Sequence, residues 1–578
     1  MPGPSSVRER YLDHAQLTAQ LRTWATQHPD FIRLRALTTT EGGRELWLLT
    51  IGPRPDEPRP ALWVDANMHA SELCGSNVAL AVAEELIALH LDPDARPLGL
   101  PAHVCARLRS IHVHVAPRLS PDGAEVILKG ETLVRSIPRD PLGYASTRPR
   151  WIPQDLDGDG CVRTIRVLDA TGEFCESAAL PGLMLPRRLE DEGPFYKLYP
   201  EGVIEGYDGR TIPCPAGMGG RGIDLNRNFP ARWVPEPEQV GAGPFALSER
   251  ESRAIAEFAV THPTIFAWFN LHTFGGVVIR PPGERPDHTL DPHDRHVFDQ
   301  LARWAKQHAR YPTVGGFEQF TYTPQKPLHG DLIDFVYRQR GCLAVAVELW
   351  DLFAQAGIRR RDRAGERFVD VYDELTRDEL IALARWDREH NAGRCAAAWR
   401  PFRHPQLGDV ELGGYDPRFG LWNPPAERLA ALCREHAALI LRTAALAPAI
   451  EITAARVIPQ GPGRWAIDIT VENHGYLGSY GVASARARPW NEPLRAELVT
   501  QGALELDEPD DGARELGHLD GWGRGPHGEN AAAFFQRSRG SSGRAHARWH
   551  VVGHGVARVR VSGARVGTIE RVLELPEE

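Results

Sequence analysis

His69 and Glu72 lie three residues apart in Asp65-Ala66-Asn67-Met68-His69-Ala70-Ser71-Glu72, and they are the first residue types in the chain that could do chemistry together. Neutral imidazole and a carboxylate oxygen both bind Zn²⁺ at about 2.0–2.2 Å, so such a pair can close on one ion. Chance supplies a His-x-x-Glu match in many chains, and most decorate a surface. What raises this one is its place. The apolar run Ala61-Leu62-Trp63-Val64 reads as a buried strand that delivers the cluster to its carboxyl end, where open α/β sheets bind ligands.

Later stretches offer the groups that a hydrolytic site needs. Ile265–Leu271 reads as a second buried strand ending on His272-Thr273-Phe274-Gly275-Gly276, which puts His272 in the slot that His69 occupies. Cys342–Leu349 is a third apolar strand, broken by Glu348. A carboxylate there is costly unless paired, and burial beside a cation is how a carboxylate is tuned to act as a general base. Within Gly222–Pro230, Asn226 and Arg227 suit a substrate carboxylate, the guanidinium giving two parallel hydrogen bonds and the amide a third. Asp155, Asp157 and Asp159 alternate and close on Gly160 like the first half of a calcium loop, although Arg166 stands where a late acidic ligand belongs. His103, His112 and His114 lack acidic company of matching spacing and read as structural.

The positioning elements follow from periodicity. Residues 8–27 show helical spacing, Phe31–Leu37 and Glu45–Ile51 read as strands, and Ser76–Leu91 reads as an alanine-rich helix. Ser110–Pro117 is an alternating strand running into Pro121-Asp122-Gly123, which has the chemistry of a turn. The stretch from Glu125 to Arg221 reads as loop-rich. Glu249–Val260 is expected as a helix capped by Ser248, and Glu366–Trp399 and Glu427–Leu446 as later helices joined by a Gly/Pro-rich segment. From about Ala449 short alternating strands take over, Trp465–Glu472 turning Ile467, Ile469 and Val471 inward, and they describe a small β-sandwich. The expected organisation is therefore α/β, a mixed central sheet flanked by helices over residues 1–447 with an insertion at about 125–221, followed by an all-β sandwich over residues 448–578.

Composition sets the outer bounds. Hydrophobic residues make up 42% and charged residues 25%, as in a globular chain, and a net charge of −9 gives no electrostatic case for nucleic acid. The amino terminus has no apolar core of signal-peptide length, and Val78–Leu89 is interrupted by Glu84 and Glu85, so no membrane span is expected and a cytoplasmic location is the default. The eight cysteines include no C-x-x-C pair and are expected as free thiols.

In order and in company, these motifs resemble the zinc metallocarboxypeptidase family of the carboxypeptidase A type. His69-Ala70-Ser71-Glu72, Pro117-Arg118 with Pro121-Asp122-Gly123, Asp224–Phe229, Leu271–Phe274 and Val347–Leu349 match its landmarks over roughly Phe31 to Asp351. The resemblance implies that His69, Glu72 and His272 bind one zinc ion per chain, with a fourth position left for water. It implies Glu348 as general base, Asn226 and Arg227 on the substrate's terminal carboxylate, and Arg135 on the scissile carbonyl. The family's mobile tyrosine, counted back from Glu348, falls on Lys326, and Tyr322 four residues earlier is taken instead. Ile333 aligns with the position that sets side-chain preference and points to an apolar or aromatic terminal residue, with Asp331 and Asp334 close by. The partner implied is a peptide with a free carboxylate. An amidohydrolase or deacylase acting on N-acyl amino acids or cell-wall peptides, and a non-catalytic binder of protein tails, remain open alternatives.

Overall fold

The computed structural model describes residues 6–138, 149–215, 222–236, 238–323, 326–358, 367–373, 375–507, 512–523, 538 and 540–577. An eight-stranded mixed sheet organises the first part of the chain. Its strands are β1 (Ile32–Thr39), β2 (Glu45–Ile51), β3 (Ala61–Ala66), β4 (His112–Ala116), β5 (Ile265–Thr273), β6 (Val277–Arg280), β7 (Thr313–Gly315) and β8 (Leu343–Leu349), in the spatial order β1-β2-β4-β3-β5-β8-β6-β7. Strands β4, β3, β5 and β8 run parallel. Every residue of β3 and β5 is buried. Because successive side chains point to opposite faces, this requires cover on both sides, and that is why these strands are apolar without interruption except where chemistry intrudes.

Helix Cys74–Leu91 supplies part of that cover and packs against helix Ala426–Ala444. Among the described residues it is the one helix long and apolar enough to cross a membrane, and 72% of it is buried inside the fold. At the end of β3 the chain turns through Asn67, whose φ of 54° is a left-handed conformation that asparagine tolerates better than most residues. The Asn67 Nδ2 donates to the carbonyls of His69 (2.8 Å) and Ala70 (3.1 Å), which holds the turn that presents His69.

Several local expectations change. Pro121-Asp122-Gly123 opens helix Pro121–Leu128 rather than a turn, and Asp122 accepts hydrogen bonds from the Thr40 hydroxyl (2.9 Å), the Gly42 N–H (2.9 Å) and Arg44 (2.8 Å). Helix Arg250–Thr261 is preceded by Glu249 with no side-chain cap, and the Ser248 hydroxyl bonds to the Glu249 carboxylate instead. The expected helix to Trp399 stops at His390, and its expected start at Glu366 lies outside the described residues. Trp399 belongs to strand Ala396–His404, which pairs with Gly408–Tyr415 across what read as a linker.

That hairpin continues into the insertion. Thr164–Leu168 joins Gly408–Tyr415, then Phe195–Pro200, Phe174–Glu176 and Met184–Pro186 complete a six-stranded sheet. The stretch 125–221 is therefore sheet as well as loop; its strands are three to six residues long, and Thr164–Leu168 takes one of its partners from more than 200 residues away in sequence.

Residues 450–575 build two four-stranded antiparallel sheets that share one core around Ile467, Ile469, Val471, Trp549, Val559 and Val561. Its attachment to the first part of the chain is specific. Arg565 is 1% exposed and donates to the carbonyls of Pro263 (2.8 Å), Ile265 and Arg340, with its guanidinium 5.1 Å from the Trp490 ring centre. Ile265 begins β5 and Arg340 lies just before β8, so one side chain from the sandwich ties the amino ends of the two strands that carry His272 and Glu348. Arg565→Met keeps the stem and removes the donors, and it is expected to lower stability by about 2–3 kcal/mol, the worth of charged hydrogen bonds onto buried carbonyls. Urea unfolding followed by tryptophan fluorescence measures this, and an unmoved midpoint would contradict it.

Candidate active site

Parallel register puts the chemistry at one level. Asn270 pairs with Asp65 across β5 and β3, and His272 pairs with Glu348 across β5 and β8. His69 arrives from the loop beyond β3, and Glu72 just ahead of helix Cys74–Leu91. The result is a cavity of about 240 Å³ lined by His69, Glu72, Arg135, His272 and Glu348, and by Asn226, Arg227, Tyr322 and Ile333 as well. Every site residue expected from the sequence, the candidate calcium loop apart, faces this one space.

The three inner groups are close. Nδ1 of His69 lies 2.7 Å from Glu72 Oε1, Nδ1 of His272 lies 2.9 Å from Glu72 Oε2, and the two Nδ1 atoms are 3.1 Å apart. The outer nitrogens settle the tautomers. Nε2 of His69 donates to Asp224 Oδ1 (3.2 Å), and Nε2 of His272 donates to Asn270 Oδ1. The Asn270 amide cannot be turned the other way, since its Nδ2 donates to Asp65 Oδ1 at 2.5 Å. Both Nδ1 atoms therefore present lone pairs to a carboxylate, and three acceptors at these distances repel unless a cation sits among them. Two imidazoles and one carboxylate are a donor set for catalytic zinc, which leaves one position open.

Electrostatics reinforce the arrangement. Burial pushes the Glu72 carboxyl up, and positive charge on the His69 and His272 rings, at the place a bound cation would take, outweighs it and brings it down to about 2. Burial likewise opposes ionisation of Asp224, yet the Arg135 guanidinium and His69 hold it well below the usual carboxylate range. Arg135 Nε donates to Asp224 Oδ2 (3.0 Å), and its Nη1 lies 3.6 Å from Glu72 Oε1. The Ala70 N–H donates to the Arg135 carbonyl (2.7 Å), which fixes the backbone of that segment beside the metal-ligand loop. Glu348 is the opposite case: burial and repulsion from Glu72 push it well above the usual range, against the pull of Arg135.

At the other end of the cavity, Asn226 Oδ1 accepts the Leu332 N–H (2.9 Å), so Nδ2 is the group the amide has to offer a ligand. Arg227 Nη1 donates to the Asn226 carbonyl (2.6 Å). Ile333 is 6% exposed and Tyr322 43% exposed, so the first belongs to the wall and the second to the lip. Asp331 lines the same wall, and the Gly283 N–H donates to both oxygens of the neighbouring Asp334 (3.2 and 3.1 Å).

Two clusters that tempted a metal reading stand apart. Asp155, Asp157 and Asp159 do converge. Their oxygens accept N–H groups of their own loop, and Arg400 lies on Asp157 (2.7 Å) and Asp159 (3.3 Å), supplying positive charge from protein. His112 and His114 line a separate cavity of about 510 Å³ with His262, and each has a protein partner: the Pro53 carbonyl (3.0 Å) for His112 and the Thr50 hydroxyl (2.9 Å) for His114. His103 is exposed on helix Ala102–Leu108.

Comparison with known proteins agrees with this geometry. A family model described as zinc carboxypeptidase matches residues 17–149 and 204–357, and a domain of unknown function matches residues 449–574. The chain belongs to the zinc metallocarboxypeptidase family. Among curated relatives, Carboxypeptidase M of Mus musculus is 27% identical over 133 residues, 22% of this chain and 28% of that protein. Carboxypeptidase B of Bos taurus is 21% identical over 284 residues, 47% of each. The chain thus spans between about a quarter and half of the length of these relatives. A metallo-carboxypeptidase structure from Burkholderia cenocepacia aligns at 14% identity and a TM-score of 0.34, covering 74% of this chain and 68% of that one.

Four residues of the site drew no role from the sequence. Asp65 and Asn270 interrupt apolar strands as Glu348 does, and that interruption is the signal that could have singled them out. Tyr372 and Trp422 line the cavity from beyond the matched segments, flanking Phe274 with ring centres at 5.8 and 6.4 Å, and nothing in their local sequence marks them.

The raised Glu348 carboxyl has a consequence for stability. A carboxyl whose folded pKa lies above its unfolded value of 4.5 favours the fold below that pH, and the advantage is lost as pH rises towards the folded pKa. Metal-free Glu348→Gln is therefore expected to melt at a higher temperature than the metal-free native chain at pH 7 and to match it near pH 4. Calorimetry at the two pH values decides, and equal melting at both would contradict the assignment.

Proposed function

We propose that this chain is a zinc-dependent carboxypeptidase that removes a basic residue from the free carboxyl end of a peptide. The observation that carries the reading is the convergence of three acceptor groups on one point, in the cavity whose walls hold Glu348, Arg135 and Arg227. Zinc bound there would supply Lewis acidity towards water and the scissile carbonyl.

The protein's own groups do the rest. Glu348 in its ionised form takes the proton of the attacking water, its raised carboxyl making it a stronger base than an exposed glutamate, and returns that proton to the leaving amine. Arg135 donates to the oxyanion as the carbonyl becomes tetrahedral. Arg227 and the Asn226 amide grip the terminal carboxylate, which sets the length of substrate that fits. Tyr322, at the lip, covers the bound end.

Asp331 supports a basic terminal residue over the apolar one that Ile333 suggested. Burial raises the carboxyls of both Asp331 and Asp334, and mutual repulsion adds to it at Asp334. An incoming ammonium or guanidinium relieves that cost. Ile279, Leu328 and Ile333 then pack along its aliphatic stem.

Peptides ending in lysine, phenylalanine or lysine amide, followed by mass spectrometry, test this. Loss of free lysine is expected to be fastest and the amide to be inert. Asp331→Asn is expected to cut the preference for lysine over phenylalanine by roughly 10²-fold, the scale of leaving a buried charge without its partner. Equal cleavage of acid and amide would remove Arg227 from its role, and release of an acyl group with no terminal residue would favour the deacylase. Tail-binding proteins of this kind typically lose a ligand or the base, and here all four residues line the cavity, which favours the enzyme. Glu348→Gln is expected to retain zinc while kcat falls by about 10²–10⁴-fold; undiminished turnover would exclude it as the base.

A further inference from the structure

Behind the metal-ligand set lies a polar chain with no part in the steps above. Asp65 is fully buried in an otherwise apolar strand. Its Oδ2 accepts the indole N–H groups of Trp63 (2.8 Å) and Trp268 (2.7 Å), and its Oδ1 accepts Nδ2 of Asn270 (2.5 Å). The indoles, both fully buried, stack with ring centres 4.5 Å apart. Asn270, also fully buried, spends its other end on Nε2 of His272. Three donors converge on Asp65 and it donates to none of them, so it fixes the direction of every dipole in the chain.

Building on the zinc reading, we propose that Asp65 and Asn270 form a positioning pair that locks His272 in the tautomer with its Nδ1 lone pair turned to the metal. The reasoning is one of direction. An asparagine amide has a donor end and an acceptor end that differ little in shape, so packing alone does not orient it. Burial pushes the Asp65 carboxyl up to about 7, the two indole N–H groups and the Asn270 amide oppose that by stabilising its ionised form, and as an acceptor it turns the Asn270 Nδ2 towards itself and the Oδ1 towards His272. Were Asn270 to flip, its Nδ2 would face Nε2, Nε2 would become the acceptor, and the ring proton would move to Nδ1. That nitrogen could then no longer bind a cation. His69 needs no such device, because Asp224 is an acceptor in either orientation. Ring partners of this kind typically change metal affinity by 10–100-fold when removed.

The test exchanges the two side chains. Asp65→Asn removes the acceptor that orients Asn270 at almost no change in volume, and Asn270→Leu removes the acceptor for His272. In the double variant Asp65→Asn/Asn270→Asp, Asn at 65 accepts both indoles and donates to the new carboxylate at 270, which accepts from His272. The zinc dissociation constant, measured by competition with a chelator, is expected to rise by 10–100-fold in each single variant and to return to within a few-fold of native in the exchange. Melting of the metal-free proteins is followed alongside, since a role in packing alone would move melting and leave zinc affinity in proportion to the folded fraction. Native zinc affinity in folded Asp65→Asn, or an exchange no better than the single variants, would overturn the proposal. Native protein that binds zinc tightly but cleaves no peptide would sink the carboxypeptidase reading and leave this result intact; native protein that binds no zinc would sink both.

Discussion

Two imidazole nitrogens and a carboxylate, all turned to one point, are held within 3.1 Å of one another at the end of a sheet, and the surrounding structure holds them there. Such an arrangement is unfavourable by itself. It persists because each outer ring nitrogen is committed elsewhere, His69 to Asp224 and His272 to Asn270, and because Asn270 sits in a fully buried strand while Asp224 is held by Arg135 and the Asn226 N–H. The repulsion stored at the centre is what a cation relieves, so the affinity of the site and the rigidity of the sheet are two views of one constraint.

The same economy runs through the neighbouring charges. Arg135 and His69 keep the buried Asp224 ionised and the imidazoles of His69 and His272 do the same for Glu72, whereas at Glu348 burial and repulsion from Glu72 outweigh the pull of Arg135 and push it towards its neutral form. Two carboxyls lining one cavity thus have opposite tendencies. At the far wall, burial raises the carboxyls of Asp331 and Asp334, and repulsion from Asp331 adds to it at Asp334.

Accessory structure frames this centre from outside the matched family segments. The insertion and the hairpin 396–415 make a sheet of their own, and the segments around Tyr372 and Trp422 add an aromatic wall next to Phe274. The terminal sandwich reaches in through Arg565 to the amino ends of β5 and β8, at the opposite end of those strands from His272 and Glu348.

Much of this was legible in the sequence. Apolar strands interrupted by one polar residue, and the order of His69, Glu72, Arg135, Asn226, Arg227, His272 and Glu348, point to the sheet and to the groups that line its cavity, because burial on both faces leaves local composition little choice. Asp65 and Asn270 carried the same mark. What local sequence could not supply was pairing and direction. Strands Thr164–Leu168 and Gly408–Tyr415 are short and ordinary until they meet, and the terminal pocket reads as apolar from Ile333 until Asp331 is seen lining the same wall. Which way an amide points, and so which nitrogen of His272 is left to bind, depends on an acceptor some 200 residues away. Residue types fix what each group can do; only the folded register decides which groups face one another.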